Sequence, residues 1–254
     1  MARLRPRRLR RLRWWLLGGL VALAVVVFGG TWLYIHVIEG PAPAPLSLKS
    51  AARSSPIGAT ATPTMTSPAG TPSAGTASAG AVAGTWRVSS GSVVGYRVNE
   101  VLAGQNNVAV GRTSDITGIL TIRGSAVTAA SFSVPMDTIR SDQSERDAQF
   151  NGRIMETSIY PTGTLSLTAP IALGALPADG AIRTYHASGN LTLHGHTRPV
   201  TFALQAERTT SGIAVSGSIP ILFANWEIGN PSFAGFVTTQ NHGVLEFLIK
   251  FRRS

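Results

Sequence analysis

Few side chains in this sequence combine the type and the spacing that chemistry needs. His194 and His196 form a His-x-His pair. Residues two apart on a strand face the same way, so the pair could share a metal ion. They flank Gly195 in a turn-forming stretch with no acid or cysteine beside them, and a solvated turn is the expectation. Glu145-Arg146-Asp147 could supply acid–base groups where burial shifts a carboxylate pKa. On a helix surface such charges ordinarily pair, so a structural ion pair is expected. No Gly-x-Ser-x-Gly elbow occurs in the β-rich part, and Gly104 and Gly111 lack the spacing and strand-to-helix setting of a phosphate loop. There is no cysteine, which excludes disulfides, thiolate chemistry and cysteine-held metals. No metal, cofactor or catalytic residue is expected, and the chain reads as a non-enzyme.

The elements that would position these groups follow from composition. Of a net charge of +10, seven arginines lie within the first 13 residues. From Gly84 onward 13 basic and 11 acidic side chains leave only +2. Nucleic-acid binding needs a basic face on the folded part, and none is legible. After the arginines, Trp14–Val37 runs for 24 residues without formal charge. A helix of that length spans a hydrocarbon core of about 30 Å. Trp14, Trp15, Trp32 and Tyr34 sit towards its ends, where interfacial rings belong. The arginine cluster predicts a cytoplasmic N-terminus and an exported remainder. A cleaved signal peptide would have a shorter apolar run and a small-residue cleavage site. The expectation is therefore three segments: residues 1–39 as basic tail and transmembrane signal-anchor, 40–83 as a disordered Pro/Ala/Gly/Ser/Thr-rich linker, and 84–254 as one folded domain.

In that domain short β-rich runs alternate with turn residues. Val200, Phe202, Leu204 and Ala206 share a face, as do Leu245, Phe247, Ile249 and Phe251. This is the period of half-buried antiparallel strands. LTLHGHTRPVTF predicts a hairpin with Gly195 in the turn and Pro199 on an edge. SDQSERDAQFNG predicts one helix, with Asp142 as cap, Glu145 completing a capping box and Asn151-Gly152 as stop. About eight strands and one short helix fit a closed barrel or a sandwich.

Two stretches resemble the YceI family. Val134–Thr168 carries a Glu145-Arg146-Asp147 helix core, Ile154-Met155 and a Tyr160-Pro161 step into the next strand. Ser188–Ala206 is similar to the family's Gly-x-Leu-Thr-Leu-x-Gly-x-Thr-[Lys/Arg]-Pro-Val-Thr hairpin, in Gly189, Leu191, Thr192, Leu193, Gly195, Thr197, Arg198, Pro199, Val200 and Thr201. The segment FANWEIGNPSFAGFVTTQNH departs from the usual run. The resemblance implies an all-β, closed eight-stranded antiparallel lipocalin-like barrel with one short helix. It also implies an apolar cavity for an isoprenoid lipid, a prenyl quinone or a polyprenyl phosphate, in an exported bacterial protein. Phe132, Phe202, Phe223, Trp226 and Phe247 are the expected lining residues, and Arg146 the expected headgroup contact. The expected partners are that lipid and the membrane, without nucleic acid; the sequence does not choose between monomer and homodimer. The rival reading is a packed β-sandwich interaction domain on a stalk.

Overall fold

The structure, a computed structural model, describes residues 15–16, 18–23, 25–26, 29–30, 42–49, 82–102, 104–175, 179–232 and 237–254. Its strands are β1 (Gly84–Val88), β2 (Val93–Leu102), β3 (Gln105–Thr113), β4 (Thr117–Arg123), β5 (Ala126–Pro135), β6 (Thr162–Leu167), β7 (Ile171–Ala172), β8 (Ile182–Leu193), β9 (His196–Thr209), β10 (Gly212–Leu222), β11 (Val237–Thr239) and β12 (His242–Arg253). One α-helix, α1 (Ser144–Gln149), lies between β5 and β6.

All pairings are antiparallel, and they close. The ring runs β1-β4-β5-β6-β8-β9-β10-β12 and returns from β12 to β1. The closed ring excludes the sandwich. β12 is shared: its last residues pair with β1, and Val244–Leu248 pair with β2, which carries β3 beside it. A bridge from Arg112 to Arg140, with N···O distances of 2.8 and 3.0 Å, ties β3 back towards the segment after β5. Closure leaves the inward residues of every strand facing one interior.

The β8–β9 hairpin has a two-residue turn, His194-Gly195, with φ of 47° and 74°. Both residues lie in the left-handed region that the tight primed hairpin turns require. Pro199 sits where the β10 ladder, which begins at Leu204, does not reach. The helix differs from expectation. Asp142 does not cap it but pairs with Arg146 one turn on. Glu145 Oε2 accepts from Ser144 Oγ at 3.1 Å and closes no capping box. Asp147 Oδ1 accepts from the Ser141 amide at 2.8 Å and its hydroxyl at 2.7 Å, which fixes the preceding loop instead. Asn151-Gly152 is not a stop either. The chain continues as a π-helical turn over Phe150–Ile154, ending in the Met155 N–H donating to Phe150 O at 2.9 Å. That wide turn buries Phe150 and Met155 together over one end of the barrel.

Two N-terminal findings bear on the segments expected there. Most of Trp14–Val37 lies outside the described residues; those described are helical and exposed, with Trp15 80% and Val26 69% accessible. Among the described residues no helix is long and apolar enough to cross a membrane. Ala42–Lys49, within the stretch expected as linker, lies against the outer wall. Its Pro43 carbonyl accepts from Arg97 Nη2 and its Ala44 carbonyl from Arg112 Nη2, both at 2.5 Å. Leu48 is 3% exposed.

Candidate functional site: an apolar barrel interior with a polar end

The inward faces do not fill the barrel. They enclose a cavity of about 320 Å³, within the size range of small-molecule pockets. Phe132, Phe202, Phe223, Phe247 and Arg146 all line it; Trp226 does not. Trp226 sits behind the lining at 2% exposure and donates Nε1–H to Leu191 O at 3.2 Å. It belongs to a 3-10 turn, Phe223–Trp226, where strand alternation does not apply, so only one of that turn's two large rings reaches the interior. Phe202 and Phe247 meet edge to face at 5.9 Å, and Phe132 and Phe251 lie 6.0 Å apart. Gly217 makes room for this. A Cβ there would stand 2.6 Å from the Phe247 ring.

The α1 end of the cavity is polar, and two of its groups, Tyr96 and Glu100, were not anticipated. Both continue the inward register of β2 through Val94, Tyr96, Val98 and Glu100, so the alternation of SVVGYRVNEVL could have found them. Arg146 Nη2 stands 3.3 Å from Glu100 Oε1, and Asn107 donates to the same oxygen at 2.9 Å. The Tyr96 ring stacks on Phe150 at 5.1 Å and 13°. Gly111, directly opposite Tyr96, leaves space for the ring; a Cβ there would come within 2.3 Å of it. Burial pushes the Tyr96 phenol well above its ordinary range, Arg146 pulls it back, and the carboxylates Asp147, Glu100 and Asp142 push it further up. The phenol is thus held neutral at the end of an apolar chamber, within the electrostatic reach of the Arg146 guanidinium.

The histidines are placed otherwise than expected. His194 is buried, not solvated. Its Nε2 lies 2.9 Å from Glu156 Oε2, its Nδ1 3.2 Å from Trp226 O, and its ring meets Tyr160 edge-on at 4.5 Å. His196 stands 3.5 Å from Glu227. The acids come from loops remote in sequence. Glu156, His194 and Glu227 all have positive φ, so this junction is locally strained as well as paired. Among the described residues no group of three or more His, Cys, Asp or Glu could hold a metal. The cluster joins the β8–β9 turn to the α1–β6 loop and the 3-10 turn.

A search of curated proteins returned no match. Among solved structures, a polyisoprenoid binding domain from Saccharophagus degradans implicated in plant cell wall breakdown superposes with a TM-score of 0.55 at 14% identity, over 68% of this chain and 99% of that one. Burkholderia cenocepacia BcnA is similar at 18% identity and a TM-score of 0.48, over 61% and 95%. The YceI protein of Campylobacter jejuni follows at 10% and 0.42, over 55% and 83%. The first of these likenesses supports the fold alone. The model of the YceI-like domain matches residues 86–251, nearly the whole barrel and more than half of the chain, and the chain therefore belongs to the YceI-like family.

Proposed function

We propose that this chain is a membrane-anchored, extracytoplasmic binding protein that holds a long isoprenoid lipid, a prenyl quinone or a polyprenyl phosphate, in the barrel. The observation that carries the reading is the cavity: a closed ring whose inward aromatics leave space, with polar and charged groups at its α1 end. A prenyl chain there is driven by burial, at about 25 cal/mol per Å² of apolar surface. Arg146, Tyr96 and Glu100 are the groups suited to a headgroup. The relative from Saccharophagus degradans is a polyisoprenoid binding domain, which supports the same ligand class here. The reading is storage, shielding or local transfer of the lipid without catalysis. The uncharged run Trp14–Val37 and the exposed apolar side chains of its described helical residues support the anchor, and the preceding arginines support an N-in orientation.

The test is direct. The full chain is purified from membranes, extracted with organic solvent and the extract analysed by mass spectrometry. A stoichiometric isoprenoid is expected. A lipid-free chain that also takes up none from prenyl-quinone or polyprenyl-phosphate micelles would remove the proposal. A reporter fused after Ser254 should be active only if it works outside the cytoplasm.

A further inference from the structure

We infer that the outer wall formed by β4, β1 and β12 is a docking surface for an anionic lipid bilayer. The inference rests on the anchored reading above. Its origin is a charge distribution that the sequence conceals. With 13 basic and 11 acidic side chains from Gly84 onward, even mixing would pair almost every cation. Arg97, Arg112, Arg146 and Arg208 do have carboxylate partners. Nine have no carboxylate partner among the described residues. Arg140, Arg153, Arg183 and Arg198 are scattered over other elements, three of them held by backbone carbonyls, whereas Arg87, Arg123, Lys250, Arg252 and Arg253 converge on three adjacent strands. The alternation that turns Trp86, Ile122, Ile249 and Phe251 inward turns Arg87, Arg123, Lys250 and Arg252 outward. Arg253, opposite Trp86 in the ladder, turns to the Trp86 face at the strand end, 6.0 Å over that ring, so the outward row is Arg87, Arg123, Lys250 and Arg252.

Arg87 and Arg252 lie directly opposite each other in the ladder. Like charges in that position destabilise a sheet unless an anion faces them. The acid nearest by register is Glu207, opposite Ala214, which is itself opposite Lys250, so it stands two strands away. The wall therefore has an excess of cations, because Glu246 on the same face of β12 is already taken up by Arg97 and Arg112.

The second observation is where the chain arrives. Ala42–Lys49 is fixed to Arg97 and Arg112, which surround Glu246 on the outer face of the same β12. Only four residues, and so five chain steps, separate Val37, the end of the uncharged run, from Ala42, a reach of at most about 18 Å. An anchored chain thus brings the β12 wall, not an arbitrary side, to the bilayer. A membrane rich in anionic lipid would supply the missing counter-charge, at about fivefold in docking equilibrium for each cation near the surface.

The chain has no cysteine, so single labels can be placed. Full-length Ser90→Cys, on the exposed β1–β2 turn of the wall, and Thr184→Cys, exposed on β8 across the barrel, are labelled with a fluorophore and reconstituted in nanodiscs containing nitroxide-bearing lipid. Discs of phosphatidylcholine alone are compared with discs containing phosphatidylglycerol. Strong quenching at position 90, dependent on phosphatidylglycerol and lost in high salt, is expected, with little at 184. The triple variant R87Q/K250Q/R252Q should lose about a hundredfold in the docked-to-free ratio while its circular dichroism and lipid content stay unchanged. Equal quenching at the two positions, or none that depends on anionic lipid, would overturn the inference. So would displacement of the label by a soluble anionic polymer at constant lipid composition, which would assign the wall to such a polymer. A chain that enters neither disc fails at the anchor, whereas one that docks but yields no extractable isoprenoid fails only at the cavity reading.

Discussion

The two faces of β12 carry one alternating pattern and two kinds of burial. Inward, Leu245, Phe247, Ile249 and Phe251 are shielded because the ring closes around them, and they leave a cavity between them. Outward, Glu246 and Leu248 are just as inaccessible, at 5% and 6%. There the cover is specific: Arg97 Nε stands 2.7 Å from Glu246 Oε1, Arg112 Nη2 3.3 Å from Oε2, and both guanidiniums hold carbonyls of Ala42–Lys49. Further along the same face Lys250 and Arg252 lose that cover. Burial on a barrel wall therefore does not identify a ligand site. Burial without mutual filling identifies the interior, and burial by paired charge identifies an intramolecular joint.

The comparison predicts opposite responses on the two faces. The largest effect is expected outside. Glu246→Ala leaves two arginines facing each other under a strap; breaking a buried pair costs 3–5 kcal/mol, and because both partners reach solvent about 3 kcal/mol is expected in urea unfolding. A loss below about 1 kcal/mol would make the outer joint an ordinary surface pair. Next comes Leu48→Asp, which places a carboxylate in a buried position of the strap. It should cost about 2 kcal/mol of strap docking and leave the barrel's own unfolding midpoint in place. Trypsin cleavage after Lys49 should accelerate accordingly; unchanged cleavage would show that the strap is held by its two arginine contacts alone. Inside, Ala206→Phe extends a ring into space that already exists. A stability change below about 1 kcal/mol is expected, together with loss of extractable lipid. Destabilisation by the roughly 1–3 kcal/mol of an overpacked interior would show that the space is not real.

How much of this was legible follows from the kind of signal each residue carries. Phe202 and Phe247 sit in strands with unbroken alternation, and period two groups each with the neighbours whose face the barrel turns inward. Phe223 and Trp226 sit in a 3-10 turn, where no period distinguishes lining from backing. Tyr96 and Glu100 were readable from β2 but lie among polar residues that resemble a turn. His194 with Glu156, and Arg97 with Glu246, are joined across 38 and 149 positions by topology alone. No local pattern foretells them, which is why the histidine turn reads as solvated and the domain as evenly charged. The resemblance supplied ring closure, which periodicity leaves open between barrel and sandwich. The strap was hidden by its composition: proline and alanine signal a tether, and only the carbonyls they present to two arginines make it a joint.

The smallest effect tests the polar end of the interior. Tyr96 is half-buried with its ring stacked on Phe150, and desolvation holds its phenol neutral well above the ordinary tyrosine pKa of about 10. An acid whose pKa is higher in the folded than in the unfolded chain binds its proton more tightly when folded. Its contribution is fully present below the unfolded pKa and is lost as pH rises through the folded one. Stability should therefore begin to fall only above about pH 10, and a tyrosinate absorbance titration of the folded chain should show the Tyr96 phenol as a late step. Tyr96→Phe should abolish that late step and flatten the alkaline limb of the stability curve, with little change at neutral pH because no hydrogen bond of Tyr96 Oη is removed from the protein. The outer face offers the control. Glu246→Ala should lower stability across the same alkaline range without altering the late phenol. If both variants changed the alkaline limb alike, the interior and the outer joint would unfold as one unit, and the distinction between the two faces of β12 would be geometric but not energetic.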